Sequence, residues 1–264
     1  MPAPPLVSIR DVSLTYGQGE DSVLAVRNLT LDIAKGDFVA VVGPSGCGKS
    51  SLMKLVTGLL PPTSGEIFVD DEKVTHPIQG VGMAFQNSTL MPWRTTLDNI
   101  MLPFEIVEPH KRRLRSEKAK YVAQAEQLLA TVGLGNFGRK FPWELSGGMQ
   151  QRANLCRALV HQPELLMLDE PFGALDAFTR EELWAVMQDL WLQKRFTAVL
   201  VTHDLREAVY LANTVFVISH RPGHVVYDAK VDLPRPRTLE TTFETKFIDI
   251  VHDLRAHISR ELTT

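Results

Sequence analysis

A glycine-rich octapeptide is the feature that most constrains the fold of this chain. Residues 43–50 read GPSGCGKS, in which two glycines bracket four residues and are followed by Lys and Ser. The octapeptide follows a short apolar run, residues 38–42, that predicts a strand buried on both faces, and it precedes a segment, residues 50–60, that predicts a helix. A strand, a glycine-rich turn and a helix in this order are typical of a loop that holds phosphate groups.

The chemistry of phosphate binding explains the residue types in this loop. Glycines let backbone N–H groups curl around phosphate oxygens, and the start of the next helix adds partial positive charge. Lys49 would neutralise the β and γ phosphates of a nucleotide, and the Ser50 hydroxyl would bind Mg²⁺. A structural glycine turn without a ligand is the alternative. The expected nucleotide-binding residues here are Gly43, Pro44, Ser45, Gly46, Cys47, Gly48, Lys49, Ser50 and Ser51.

Two carboxylates and a histidine follow two later apolar runs. Residues 165–168 predict a buried strand that ends in Asp169 and Glu170. In P-loop proteins an Asp at this place holds the metal, and the following Glu can polarise the water that attacks the γ-phosphate. In the alternative interpretation, Asp169 caps a turn and Glu170 is solvated. His203 follows the strand predicted at 198–201, so parallel neighbours would bring it to the same sheet edge as Glu170.

The remaining pattern predicts an α/β fold with a P-loop NTPase core on a mainly parallel sheet. Apolar residues alternate with polar ones near the N-terminus, which predicts an antiparallel β subdomain, and residues 87–145 predict an inserted α-helical subdomain. We expect four segments. They are 1–86 (antiparallel β subdomain and P-loop part of the core), 87–145 (helical subdomain), 146–232 (rest of the core) and 233–264 (helical tail with Phe243, Phe247, Val251, Leu254 and Ile258 on one face).

Composition narrows the class of protein. The 28 Lys and Arg residues nearly balance the 31 Asp and Glu residues, so no strong field favours nucleic acid as a partner. The two cysteines have neither the number nor the spacing of a disulfide framework or a zinc site, which favours the cytosol. The N-terminal residues lack the pattern of a signal peptide, and no apolar stretch approaches the roughly 18 residues that cross a bilayer. Any role in transport across a membrane would therefore need a separate membrane polypeptide.

A second glycine-bearing segment, LSGGMQ at 145–150, precedes a helix predicted to start near Gln151. With this segment the chain resembles the ATP-binding cassette (ABC) ATPases over nearly its whole length. In that family the signature of one subunit closes over the γ-phosphate that the P-loop of another subunit holds. The resemblance therefore implies a head-to-tail dimer with two composite sites. It assigns nucleotide contacts across the dimer to Ser146, Gly147, Gly148 and Gln150.

Further positions match the family one by one. Gln86 resembles the Q-loop glutamine, which contacts Mg²⁺ and the attacking water. Residues 173–176 are similar to the D-loop, with Gly173 where many members carry Ser, and Asp176 would contact the opposite subunit's site. Tyr16 matches the aromatic residue that stacks on adenine, although packing in the first strand is the alternative. We expect the Cys47 thiol to be accessible to alkylating agents.

The type of ABC protein follows from what accompanies these motifs. The chain has one cassette, no long coiled-coil insertion and no membrane domain. Residues 91–94, 170–177 and 233–237 resemble importer subunits of the nitrate, sulfonate, taurine and bicarbonate group. The resemblance implies a peripheral ATPase at the cytoplasmic face of the membrane that uses ATP and Mg²⁺. Its partners would be a second copy of itself or a homologous chain, an integral membrane permease and a periplasmic or extracellular substrate-binding protein. The alternative is an ATPase of a multi-chain lipid-handling or export complex.

The segment 87–104 is apolar for one of two reasons. It is either the core of the helical subdomain or, in part, the groove that receives the permease. Cys156, by contrast, lies in a predicted helix and is expected to pack there.

Overall fold

The computed structural model of the protein describes residues 5–173 and 175–263. Strands and helices alternate along much of the chain. The strands are β1 (Pro5–Tyr16), β2 (Val23–Ala34), β3 (Phe38–Val42), β4 (Ser64–Val69), β5 (Glu72–Lys73), β6 (Gly82–Ala84), β7 (Leu165–Asp169), β8 (Thr197–Val201), β9 (Thr214–Ile218) and β10 (Val225–Lys230). The helices are α1 (Lys49–Val56), α2 (Thr96–Ile106), α3 (His110–Arg113), α4 (Lys118–Thr131), α5 (Gly147–Leu159), α6 (Ala177–Lys194), α7 (Leu205–Leu211) and α8 (Thr245–Thr263). They form two units, Met1–Ile78 with Thr197–Thr264 and Gln79–Phe196, called unit 1 and unit 2 below.

Unit 1 contains an antiparallel sheet with the strand order β2-β1-β4-β5. The apolar residues Val7, Ile9, Val12 and Leu14 of β1 are buried, and a register shift between Ile9 and Val12 interrupts the period of two. The expected N-terminal antiparallel subdomain is therefore confirmed.

Unit 1 also contains four strands of a mainly parallel sheet. β3 lies between β8 and β9 and runs parallel to both, and β10 adds to β9 in the antiparallel sense. All five residues of β3 are buried, which explains its continuous apolar sequence. The register pairs Val41 with Val201, so β3 and β8 end at the same edge. The segments that follow them, including residues 43–50 and His203, begin at that edge.

Unit 2 contains the inserted helices and two parallel strands. β6 pairs with β7, with Gly82 opposite Leu166. Helix α2 begins at its N-cap Thr95, whose hydroxyl accepts a hydrogen bond from the Asp98 N–H, and it buries Phe104 against the ring of Tyr121 in α4, with ring centroids 4.2 Å apart. The expected α/β fold with a helical insertion is thus confirmed. The four expected segments stay a prediction, since they divide the chain by role.

The tail differs from its prediction at one position. Phe243 was expected on one helical face with Phe247 and Leu254, but it lies in a short 3₁₀ helix before α8 and is 69% exposed. Phe247 and Leu254 are buried as expected. The apolar period continues across Glu244, where the backbone is extended, so the period alone placed Phe243 on the wrong element. Among the described residues, no helix combines the length and apolar character needed to span a bilayer.

Candidate nucleotide-binding site

Two of the three glycines in residues 43–50, Gly43 and Gly48, are packed closely against neighbouring backbone. A Cβ on Gly43 would lie 2.6 Å from the carbonyl oxygen of Ile218 in β9. Gly48, the N-cap of α1, has φ of 104° and would place a Cβ 3.1 Å from the Ala25 carbonyl oxygen. The loop therefore fits the geometry of a phosphate cradle, in which backbone N–H groups at a helix N-terminus face the ligand.

The ammonium of Lys49 is buried inside this loop. Its Nζ donates to the carbonyl oxygens of Gly43 and Pro44, each at 2.9 Å, and lies 3.8 Å from the Cys47 Sγ. The Cys47 side chain is only 1% exposed, so the expectation that its thiol is accessible to alkylation is wrong. Burial raises the pKa of the Cys47 thiol, although the nearby Lys49 cation acts in the opposite direction. Cys156 is buried in α5, which confirms that it packs there.

Tyr16 lies at the end of β1 and is tied to the first turn of α1. Its hydroxyl and the Ser51 Oγ are 3.0 Å apart, and the residue is 40% exposed. Tyr16 is thus partly exposed, and its stacking on adenine stays a prediction. Ser50, beside Ser51, is exposed in the same turn.

His203 follows β8 at the strand edge where the P-loop follows β3. It is exposed, and the next residue, Asp204, is the N-cap of α7. The Asp204 carboxylate accepts hydrogen bonds from the N–H groups of Arg206 and Glu207 at 2.9 and 3.2 Å. These bonds fix the backbone beside His203. The expected approach of His203 to Glu170 concerns residues of different units and stays a prediction.

In unit 2, Gln86 and Glu170 meet at the glycine of the D-loop. Gln86 Nε2 and Glu170 Oε2 each lie 3.8 Å from the position that a Cβ on Gly173 would take. Asp169 ends β7, and Glu170 has φ of 46°, a left-handed conformation that a non-glycine residue adopts at a cost and that is frequent at functional sites. The two carboxylates thus stand at the strand terminus, with the Gln86 amide beside the second.

The glycine-bearing signature forms the first turn of α5. Ser146 is the N-cap and accepts a hydrogen bond from the Met149 N–H at 3.3 Å, so the helix begins at Gly147 and not near Gln151 as predicted. A Cβ on Gly148 would lie 3.3 Å from the Thr179 methyl group in α6. Signature and D-loop are therefore neighbours within unit 2.

The D-loop ends at Asp176, which caps α6. Its carboxylate accepts a hydrogen bond from the Thr179 N–H at 3.1 Å, and this bond lowers the pKa of Asp176. Ala174, between Gly173 and Leu175 in the D-loop, lies outside the described residues.

Sequence reasoning missed a turn that packs against the P-loop and bonds its backbone. The guanidinium of Arg221 donates to the Gly46 carbonyl oxygen, with Nη2 at 3.1 Å and Nε at 3.3 Å. A Cβ on Gly223 would lie 2.2 Å from the Cys47 carbonyl oxygen. The Arg-Pro-Gly turn between β9 and β10 was the available signal.

The side chains expected to bind a metal ion are those of Ser50, Gln86 and Asp169. Among the described residues no three His, Cys, Asp or Glu side chains converge as a metal cluster. Mg²⁺ is commonly bound by one or two carboxylates together with substrate phosphates, so this donor set fits Mg²⁺ held with ATP.

Comparison with known proteins agrees with this geometry. Residues 26–173 match the family model described as ABC transporter. The aliphatic sulfonates import ATP-binding protein SsuB of Bacillus cereus is 41% identical over 91% of this chain and 92% of that protein. A putative ATP-binding protein of Brucella abortus (strain 2308) is 43% identical over 93% of this chain and 90% of that protein.

Solved structures are similar as well. The dimeric structure of MJ0796, a bacterial ABC transporter cassette, is 30% identical and has a TM-score of 0.73, covering 86% of this chain and all of that one. A dimeric post-hydrolysis state of the same cassette, bound to ADP and Pi, has a TM-score of 0.71 at the same identity and coverage. Family model, relatives and site geometry agree, and the chain belongs to the ABC transporter family as one of its ATP-binding ATPases.

Proposed function

We propose that this chain is the ATPase subunit of an importer. It couples MgATP binding and hydrolysis in a head-to-tail dimer to the uptake of a small anion, of the sulfonate, taurine or nitrate kind, through a separate permease. The observation that carries the proposal is the 41% identity, over nine-tenths of the chain, to proteins named for the import of aliphatic sulfonates.

Unit 1 would bind the nucleotide. The Lys49 ammonium, which donates to two loop carbonyls at 2.9 Å, would exchange these for β- and γ-phosphate oxygens. The backbone N–H groups of residues 45–51 would hold the same phosphates, whereas Pro44 has no N–H to donate. The exposed ring of Tyr16 would stack on adenine.

The roles of the hydrolytic residues follow from the resemblance to the family. Ser50, Gln86 and Asp169 would hold Mg²⁺, which supplies positive charge to the β and γ phosphates. The Glu170 carboxylate would take the proton from the water that attacks the γ-phosphate, and the His203 imidazole would donate a hydrogen bond to the transferred phosphoryl oxygens.

The second copy would complete each site. Gly147 and Gly148 lie in the first turn of α5, whose N-terminus suits the γ-phosphate held by the other copy. Ser146 and Gln150 would make further contacts with the same nucleotide. Asp176 would contact the opposite site. Both solved structures of the MJ0796 cassette are dimeric, which supports this arrangement.

Exposed apolar residues in unit 2 support a permease partner. Trp93 is 72% exposed, and Ile106 and Phe85 are exposed as well, whereas Ile100 and Phe104 on the same segment are buried. Within the 87–104 segment, Ile100 and Phe104 lie in the core, and the exposed Trp93 would be available to the permease. The chain would lie at the cytoplasmic face of the membrane, with the substrate-binding protein outside. The lipid-handling or export alternative is not favoured, because the sulfonate-named relatives are import proteins.

Reconstitution tests this proposal. The chain, assembled with its co-purifying permease in liposomes with the matching binding protein outside, should take up an alkanesulfonate, taurine or nitrate when ATP is inside. A Glu170→Gln assembly is the control and should take up none. Uptake of a sugar or a cation would remove the substrate claim, and ATP-driven movement of lipid would contradict import.

A further inference from the structure

The segment around Gln86 is held along one side by helix α5. We call residues 85–89 the Gln86 loop. Four polar side chains of α5 contact it, namely Gln150, Gln151, Asn154 and Arg157. Positions 150, 154 and 157 are separated by four and three residues, so they share one face of the helix.

At the start of the loop, the carbonyl oxygen of Phe85 is bonded twice. It accepts hydrogen bonds from Gln151 Nε2 at 3.0 Å and from Asn154 Nδ2 at 3.3 Å. Both amide side chains are buried, and Asn154 is fully so. Buried amides that lost this carbonyl would carry the cost of unsatisfied polar groups, so the bonds fix the residue that precedes Gln86.

At the far end of the loop, the Arg157 guanidinium donates two hydrogen bonds to Thr89. Its Nη1 donates to the Thr89 carbonyl oxygen and its Nη2 to the Thr89 Oγ1, both at 2.8 Å. The same Nη2 donates to Asn154 Oδ1 at 2.8 Å, and this bond links the contacts at the two ends of the loop. Between them, the Ser88 hydroxyl donates to Gln150 Oε1 at 2.8 Å.

These bonds connect Gln86 to the signature through one rigid element. Helix α5 begins at the signature, with Ser146 as its N-cap. The α5 residues that bond the Gln86 loop follow one to three turns later. A displacement of the signature turn would therefore move the Gln86 loop with it, because the helix between them cannot stretch.

We infer that Gln151, Asn154 and Arg157 are positioning residues that hold Gln86 for the metal and the attacking water. Through them the signature helix and the Gln86 loop move as one body. The inference rests on the proposed role of Gln86 and adds residues that do not themselves touch the nucleotide.

Cleavage by chymotrypsin tests the hydrogen bonds between α5 and the Gln86 loop without any nucleotide. Phe85 is exposed, but its carbonyl must leave Gln151 and Asn154 before a protease can attack the 85–86 bond. Arg157→Met, which keeps the length of the stem, should raise the rate of cleavage at this bond roughly tenfold, the effect of losing charged hydrogen bonds. Gln151→Met is the second variant and should act in the same direction.

Arg152→Met is the matched control. Arg152 lies on another face of α5 and bonds the Val132 carbonyl and Glu182, not the loop. It should leave cleavage after Phe85 unchanged. Equal cleavage in the wild type and in both loop variants, all folded by circular dichroism, would overturn the inference.

The functional part is tested by the Mg²⁺ concentration that gives half-maximal ATPase activity. Gln86→Ala and Arg157→Met should each raise it several-fold, and the double variant should be no worse than Gln86→Ala alone, since both act through one side chain. Arg157→Lys should restore part of the loss. Fully additive effects would overturn the positioning role. If Gln86→Ala leaves the half-maximal Mg²⁺ concentration unchanged, the proposed role of Gln86 is wrong. Faster cleavage in Arg157→Met would still support the hydrogen bonds between α5 and the loop.

Discussion

The P-loop and the Gln86 loop keep their shapes by different means. The P-loop is enclosed by neighbouring backbone, because Gly43 faces the Ile218 carbonyl and Gly223 faces the Cys47 carbonyl with no space for a side chain. The Gln86 loop is held by side-chain hydrogen bonds from α5. A loop shaped by close packing has one conformation, whereas a loop held by separate bonds can release them. The phosphate cradle is thus pre-organised, and the hydrolytic part can respond to its surroundings.

The largest expected effect separates nucleotide binding, which we assign to Lys49, from hydrolysis, which we assign to Glu170. Glu170→Gln should leave MgATP affinity intact and lower hydrolysis by two or more orders of magnitude, because a general base contributes on the order of 10² to 10⁴. Phosphate release and equilibrium nucleotide binding measure the two quantities. Lys49→Ala is the counterpart and should lose ATP affinity itself. Retained affinity in Lys49→Ala would contradict the P-loop assignment.

A methyl group tests whether the P-loop is fixed by packing. Gly223→Ala places a Cβ 2.2 Å from the Cys47 carbonyl oxygen, so the backbone must shift. We expect a loss of about 2–3 kcal/mol in the free energy of unfolding, with weaker ATP binding. Gly147→Ala is the control, since its Cβ would meet nothing within 4 Å, and should stay within about 0.5 kcal/mol. Denaturant titration of both variants decides, and equal stabilities would remove the packing argument.

Tyr16 probes a side-chain hydrogen bond between β1 and the first turn of α1. Tyr16→Ala should weaken ATP binding by roughly tenfold through lost stacking. Tyr16→Phe keeps the ring and loses the bond to Ser51, at 3.0 Å, so its affinity should fall only about threefold. Fluorescent-nucleotide titration measures both. Equal losses in the two variants would assign the effect to the hydroxyl rather than to the ring.

The smallest effect concerns the two thiols. Cys47 and Cys156 are buried, and burial raises the pKa of both, so less thiolate forms at a given pH than in free cysteine. Alkylation of the folded protein should therefore be slow at about pH 8 and rise only at higher pH. Mass spectrometry after iodoacetamide treatment, with a denatured sample as the control, measures the rate. Rapid labelling of Cys47 in the folded protein would show that the P-loop opens readily.

The same difference explains what the sequence could predict. The P-loop and β3 were predictable because an apolar run and obligatory glycines leave a pattern in adjacent positions. The hydrogen bonds that hold the Gln86 loop were not predictable, since the sequence of α5 shows Gln151, Asn154 and Arg157 only as ordinary polar helix residues. The burial of Gln151 and Asn154 is visible only in the folded structure, where the loop packs on them.

Support from distant chain segments was likewise invisible. Sequence reasoning did not predict α7, β9 or β10, and so it missed the turn in which Arg221 bonds the P-loop carbonyl of Gly46. The start of α5 was misplaced because a serine N-cap admits glycines into the first helical turn.

Mixing two inactive variants tests the central claim most directly, namely that the cradle of one copy works with the signature of another. Ser146→Arg should abolish hydrolysis with its own P-loop intact, and Lys49→Ala should abolish it with its own signature intact. In an equal mixture half of the dimers are mixed, and each holds one intact composite site, so the ATPase rate should recover to about a quarter of the wild-type rate. The account predicts this recovery, and no recovery at any mixing ratio would contradict it.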